Sequence, residues 1–264
     1  MKRLSVSPQA LAKRRFLRRA AAGSSALLLG GCDRLGGNEW FARLLSAGES
    51  LNRGVRSVVG STATTLAQEF TKADLSPSFR GNGSTNPDSA EYKALAANGF
   101  ADWRLVVNGL VKTPASLSLA ELRAMPARTQ ITRHDCVEGW SAIGQWTGVQ
   151  LSRVLAQVQP LPQARYVVLY CADSLGEGED QTPYYESIDL QDAHHPQTLL
   201  AYGLNDQVLP VANGAPLRLR VERQLGYKHA KYVMRIEMTD RLNRFGRGKG
   251  GFWPDRGYEW YAGI

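Results

Sequence analysis

Asn108-Gly109 separates two apolar runs, Trp103-Arg104-Leu105-Val106-Val107 and Leu110-Val111. Asn-Gly takes the positive φ angles of a tight hairpin at little cost, so the stretch reads as strand, turn and short strand in antiparallel pairing. Ser118 follows with Glu121 three residues on, a capping box that opens a helix over Ala120, Leu122 and Met125 until Pro126 stops it. A strand over Gln130–Thr132, an amphipathic helix over Val149–Val158 and a β-branched, aromatic strand over Tyr166–Tyr170 come next. Leu217–Val221 and Tyr232–Ile236 add two more strands, and Leu199–Tyr202 reads as strand or short helix. Short strands with helices between them and an antiparallel turn predict a single α+β domain with a mixed sheet.

The chain has 264 residues and a formal net charge of +8. Seven of those charges (Lys2, Arg3, Lys13, Arg14, Arg15, Arg18 and Arg19) fall in residues 1–31, which hold no acid, so the rest of the chain carries +1. A near-neutral body lacks the basic footprint that phosphate-backbone binding needs, and no nucleic-acid partner is expected. Arg14-Arg15-Phe16-Leu17 precedes an uncharged stretch, Ala20–Gly31, too short to span a bilayer as a helix. This pattern resembles a twin-arginine export signal and predicts a periplasmic location. Leu29-Gly30-Gly31-Cys32 resembles a lipobox; lipidation of Cys32, followed by Asp33, would anchor the protein at the inner membrane, whereas simple cleavage would free it. The expected organisation is a signal segment over 1–31, a linker with loosely helical pattern over 32–95, and the functional domain over 96–264.

The run Thr132-Arg133-His134-Asp135-Cys136-Val137-Glu138-Gly139-Trp140-Ser141 carries the chemistry. Thiolate is the metal-binding form of cysteine; Arg133 and His134 would favour it and Asp135 would oppose it. No second cysteine lies close by, which excludes a clustered zinc or iron–sulfur knuckle. One soft ligand suits a metal whose other ligands come from a cofactor. A Cys136–Cys171 disulfide is the alternative for an exported chain. His194-His195 lacks partners at ligand spacing and reads as a turn before Pro196.

Together with Asn213-Gly214-Ala215-Pro216-Leu217-Arg218 and Gly226-Tyr227-Lys228-His229-Ala230-Lys231, in that order, the cysteine run resembles the sulfite oxidase family of molybdopterin enzymes. The likeness is to its periplasmic bacterial branch, which includes the methionine-sulfoxide reductase catalytic subunit, and covers roughly residue 100 to the end. It implies the sulfite oxidase type of α+β molybdopterin domain. The C-terminal immunoglobulin-like dimerisation domain of eukaryotic members is not expected, which favours a monomer.

The resemblance further implies a molybdenum–molybdopterin cofactor with Cys136 as thiolate ligand to the metal. Asn213, Arg218, His229, Ala230 and Lys231 would hold the pterin and its phosphate, and Tyr185 would face the substrate. Cys171 falls where the family contacts the pterin, and equally reads as a small residue at a strand end. Asn82 falls where the family has an Asn-led pterin loop, but the aromatic–acid pair that follows in the family is missing, and an ordinary turn fits better. The expected activity is two-electron oxygen-atom transfer on a small or protein-bound sulfur or related oxo substrate. No C-x-x-C-H haem motif is present, so electrons would pass to or from an external partner such as a membrane cytochrome b. The competing reading is a cofactor-free exported binding or assembly module that keeps the fold.

Overall fold

In β1, Arg104–Gly109, Leu105 and Val107 face inward and their neighbours outward, the period-two pattern of a strand with one covered face. The computed structural model describes Trp40 and residues 65–264, and residues from 65 onward belong to one compact unit, Ala63–Ile264. The twin-arginine stretch, the lipobox with Cys32 and most of the loosely helical segment lie outside the described residues. Residues 65–95 pack within the compact unit, so the 95/96 boundary read from sequence falls inside it.

Two five-stranded sheets form the body. The first has the order β2-β1-β10-β5-β6, where β2 is Ala115–Ser118, β5 Tyr166–Leu175, β6 Thr182–Asp189 and β10 Val233–Thr239. Its pairs are antiparallel except β1 with β10, which run parallel. The second has the order β3-β4-β7-β8, with β3 Ala127–Asp135, β4 Ser141–Gln150, β7 Leu199–Leu204 and β8 Gln207–Val208. β9, Arg218–Arg220, also pairs with β7. Every residue of β7 is buried, which accounts for its unbroken Leu-Leu-Ala-Tyr-Gly-Leu run.

Among residues 65–264 four short α-helices accompany the sheets: α1 (Ala90–Ala97), α2 (Leu119–Ala124), α3 (Leu151–Val158) and α4 (Leu190–His194). The capping box at Ser118 forms as read, with the Ser118 hydroxyl taking the Glu121 N–H and the Glu121 carboxylate returning to the Ser118 N–H. α3 turns Leu151, Val154, Leu155 and Val158 onto the main core, where each buried aliphatic side chain contributes roughly 1.5–3 kcal/mol.

The strand after Asn108-Gly109 starts later than read. Gly109 takes φ +83°, Val111 bridges to Pro160, and the antiparallel partner of β1 begins only at Ala115. β5 is longer than read: it continues past Tyr170 through a break in register, so Cys171 and Asp173 lie within the strand rather than beyond its end.

Candidate active site

Cys136 stands at the tip of a hairpin. β3 and β4 pair without a break from Ala127↔Val149 to Asp135↔Ser141, and residues 136–140 form the turn. Cys136 N–H donates to the Trp140 carbonyl (2.9 Å), Gly139 N–H donates back to the Cys136 carbonyl (3.0 Å), and Gly139 supplies φ +85°. The hairpin thus presents Cys136, 9% exposed, to a cleft enclosing about 640 Å³, part of it open to solvent.

The residues flanking Cys136 do not bias its thiol as expected. Alternation along β3 sends Arg133 outward, where it pairs with Asp135 at 2.9 Å, and sends His134 into the interior. There His134 Nδ1 accepts from Arg220 (2.9 Å), and burial, then Arg220, hold the imidazole well below its usual titration range. Burial pushes the Cys136 thiol up; the Glu138 backbone N–H opposes the rise, the Glu138 carboxylate adds to it, and Arg80 rather than Arg133 is the cation that opposes it. A bound metal would reverse that balance, since coordination removes the thiol proton.

The cleft draws its lining from separate parts of the chain: Asn82–Ser84, Cys136–Glu138, Asp173 and Leu175 on β5, Tyr184 on β6, Gly226, Tyr227, His229 and Lys231, and the C-terminal Trp253 and Tyr258. Asn82 therefore does reach it, and its buried side-chain oxygen has no partner. Lys231 donates to the Ala212 and Ser84 carbonyls, which ties the 82–84 loop to the cleft wall. Burial and the nearby Arg218 push its ammonium down to about 7. His229 donates through Nε2 to the Gln224 carbonyl (3.0 Å), which leaves Nδ1 as a bare buried acceptor.

Gly214 packs against Lys231 and Arg218, and the Asn213 amide donates to the Phe79 carbonyl (3.3 Å). Gly214 holds φ +111°, and a Cβ there would press on the Cβ atoms of both Lys231 and Arg218. Arg218 is fully buried over the Trp146 ring at 4.8 Å and donates once, to the Asn213 carbonyl (2.9 Å). Its Nε and second terminal nitrogen have no partner, and burial, then Arg220, push it down to about 9. Among the described residues neither Arg218 nor Lys231 forms an ion pair, whereas the neighbouring Arg220 and Lys228 are neutralised by Glu222 (2.6 Å) and Glu186 (2.7 Å).

Five expected site residues are not on the cleft lining: Asn213 and Arg218, described above, and Tyr185, Ala230 and Cys171. Tyr185 points away from the cleft: its hydroxyl donates to Asp255 (2.6 Å) and lies 3.2 Å from the Phe245 carbonyl. Successive β6 side chains alternate, so Tyr184 is the tyrosine on the cleft, its hydroxyl held by the Tyr227 carbonyl and kept protonated chiefly by burial. Ala230 uses its backbone inside the fold, accepting from Leu219 N–H (2.7 Å). Cys171 is packed in the main core, both it and Cys136 are free thiols, and burial pushes the Cys171 thiol well up. Asp173 was not read as a site residue. It lies two residues beyond Cys171, 3% exposed, with one oxygen unpartnered, and burial pushes its carboxyl up to about 6. The paired histidines form no metal site: His195 is buried against the Thr65 carbonyl, and no cluster of metal-ligating side chains occurs among the described residues.

Buried polar atoms without partners are costly, and those of Asn82, Asp173 and His229 all lie on the lining of this cleft. Asn82, Asp173 and His229 offer acceptors while Arg218 and Lys231 offer positive charge. That set fits an anionic heterocycle carrying N–H donors and a phosphate, with a thiolate ligand for a metal at Cys136. It defines a redox-cofactor cleft built for a pterin.

The comparisons with known proteins agree. The oxidoreductase molybdopterin-binding domain matches residues 93–244, and the chain belongs to that family, the sulfite oxidase family of molybdenum–molybdopterin oxidoreductases. It is 42% identical over 163 residues to "Putative protein-methionine-sulfoxide reductase subunit YedZ1" of Azospira oryzae, covering 62% of this chain and 56% of that protein. It is 31% identical over 247 residues to "Protein-methionine-sulfoxide reductase catalytic subunit MsrP" of Ralstonia nicotianae, covering 89% of this chain and 72% of that protein. The chain thus spans little more than half the length of the first of these relatives. Among solved structures, the sulfane dehydrogenase SoxCD of Paracoccus pantotrophus aligns with 53% of this chain and 39% of its own at TM-score 0.47 and 23% identity.

Proposed function

We propose that this protein is the catalytic component of an exported reductase that removes oxygen from an uncharged sulfoxide, protein-bound methionine sulfoxide being the substrate favoured. The observation that carries this reading is the composition of the cleft around Cys136: Val137, Glu138, Trp253 and Tyr258 line it, and among the described residues no arginine does, Arg80 acting on the thiol from outside the lining and Lys231 being held by backbone carbonyls. An oxyanion such as sulfite would meet the Glu138 carboxylate without a lining guanidinium to offset it, whereas a neutral sulfoxide bears no such penalty. The relatives named as methionine-sulfoxide reductase subunits support the same substrate class.

When bound, molybdenum–molybdopterin supplies the two-electron oxygen-atom transfer. Cys136 would ligate the metal; Asn82, Asp173, Asn213, Arg218, His229 and Lys231 would hold the pterin and its phosphate. Tyr184 keeps its proton, which its hydroxyl gives to the Tyr227 carbonyl, so it lines the cleft as a neutral ring. Sulfoxide reduction takes up two electrons and two protons and releases sulfide and water. A membrane redox partner such as a cytochrome b would provide the electrons. The paired arginines and Cys32 support export to the periplasm and attachment at the inner membrane.

The test uses enzyme matured in a molybdopterin-producing host. Near one molybdenum per chain, with sulfoxide reduction by a reduced dye and no comparable sulfite oxidation, is the expected result. Sulfite oxidation without sulfoxide reduction would overturn it.

A further inference from the structure

One short turn supplies two of the cleft's aromatic walls. Residues Pro254–Arg256 form a single 3₁₀ turn that ends at Gly257 with φ +98°, and Tyr258 N–H returns to the Trp253 carbonyl (3.1 Å). This closure stacks the Trp253 and Tyr258 rings 5.1 Å apart. Tyr258 in turn meets Tyr227 edge-on at 5.4 Å, and Trp253 is joined to Tyr184 through Phe252. The rings therefore form a continuous belt along the cleft. At its outer end Tyr258 is 39% exposed, and across the opening Val137 is 46% exposed.

The turn is fixed from behind by one carboxylate. Asp255 accepts from the Tyr185 hydroxyl (2.6 Å), Arg247 N–H (2.9 Å) and Lys249 N–H (2.9 Å). The Tyr185 carbonyl also accepts Phe252 N–H at 2.9 Å, so β6 grips the turn at both its side chain and its backbone. Gly246 lies against this junction, where a Cβ would collide with both the Asp255 carboxylate and the Tyr185 hydroxyl. Adjacent residues of β6 thus serve the two sides of one device: Tyr184 enters the cleft and Tyr185 braces the wall.

We propose that Tyr185 and Asp255 are a positioning pair that sets the Trp253–Tyr258 wall, and that this wall selects a sulfoxide carried on a peptide over a small free sulfoxide. This rests on the sulfoxide reading of the site. Aromatic faces and edges make favourable contacts with sulfur and its attached methylenes. The exposed Tyr258 and Val137 extend that apolar seat beyond the cleft, where flanking peptide atoms gain contacts that dimethyl sulfoxide cannot make.

The experiment compares molybdenum-loaded wild type with Tyr258→Ala, Tyr185→Phe and Asp255→Asn on dimethyl sulfoxide and on a methionine-sulfoxide pentapeptide. Each variant should keep its molybdenum, and the KM for the peptide should rise about tenfold while that for dimethyl sulfoxide changes less than about twofold. Peptide binding followed by intrinsic fluorescence should weaken by the same factor. Tyr185→Phe combined with Tyr258→Ala should be no worse than Tyr258→Ala alone, because both act through one wall. Tyr258 is surface-exposed, so its truncation tests the wall even if Asp255→Asn fails to fold. A lowered kcat on both substrates in Tyr185→Phe with KM unchanged would overturn the proposal, as would unchanged peptide affinity in Tyr258→Ala. Wild type that reduces neither sulfoxide would instead sink the sulfoxide reading itself.

Discussion

At its inner end the cleft is lined by Lys231 and by Asn82, Asp173 and His229 with bare buried atoms, and Arg218 is buried nearby; among the described residues neither Lys231 nor Arg218 forms an ion pair. Along its other wall Tyr184, Trp253, Tyr258 and Tyr227 line the cleft and are linked ring to ring, Phe252 joining Tyr184 to Trp253 from the core. The first region is incomplete by itself: its charges and lone pairs are only partly compensated within the fold, and a ligand would supply the rest. The second is complete, and its shape exists before anything binds. Binding energy for the cofactor is therefore stored in polar groups, and substrate discrimination in preformed apolar surface.

The largest expected effect separates the two regions at their junction. Cys136→Ser should lower sulfoxide turnover by at least about three orders of magnitude while pterin, held by the inner end, is still recovered with the protein. Fluorescence of oxidised pterin released from the variant measures this; loss of pterin in parallel with activity would mean that Cys136, not the inner end, carries retention. Arg218→Met should act in the opposite sense on the two states. Replacing an unpaired buried cation with an apolar side chain of similar length should raise the Tm of the cofactor-free protein by a few degrees. The same change should cut cofactor affinity about 10–100-fold, read as molybdenum per chain. A lower Tm in the cofactor-free variant would show that Arg218 is satisfied within the fold, and the comparison would fail.

Much of this was legible in the sequence because motif spacing and local geometry coincide. The cysteine run sits in a hairpin turn where Gly139 is required, and Gly214 lies against Arg218 and Lys231 for steric reasons a sequence can carry. Features that depend on distant pairing were not legible. The parallel partnership of β1 with β10 joins residues such as Val106 and Arg235. Which of two adjacent tyrosines enters the cleft follows from the register of β6 on β5, which shifts between Tyr170 and Ser174. Arg133 and His134 are neighbours of Cys136 in sequence, yet strand alternation gives one to solvent and the other to Arg220. Asp173 escaped notice because a lone acid at an assumed strand end looks like a surface residue, and only the extension of β5 buries it.

Asp173 also gives the finest test of the incomplete inner end. Burial raises its carboxyl from 3.8 to about 6, with Lys231 pulling the other way. A carboxyl whose folded pKa lies above its unfolded value binds more protons when folded. Its contribution to stability is therefore full below about pH 4 and is lost as pH rises to about 6. Asp173→Asn stays neutral throughout, so the cofactor-free variant should match wild type at pH 4 and exceed it at pH 7 by on the order of 2–3 kcal/mol. Glu186 and Asp189 are raised as well, but they are present in both proteins and largely cancel in the difference. Removing the Asp173 charge also lets Lys231 fall further, which trims the gap near neutrality. Denaturant unfolding at several pH values measures it. With cofactor bound, N–H donors would stabilise the ionised carboxylate, and the gap should shrink or reverse. A gap that is constant with pH in the cofactor-free protein would mean that Asp173 is already solvated or paired, and the inner end would then be as self-sufficient as the aromatic wall.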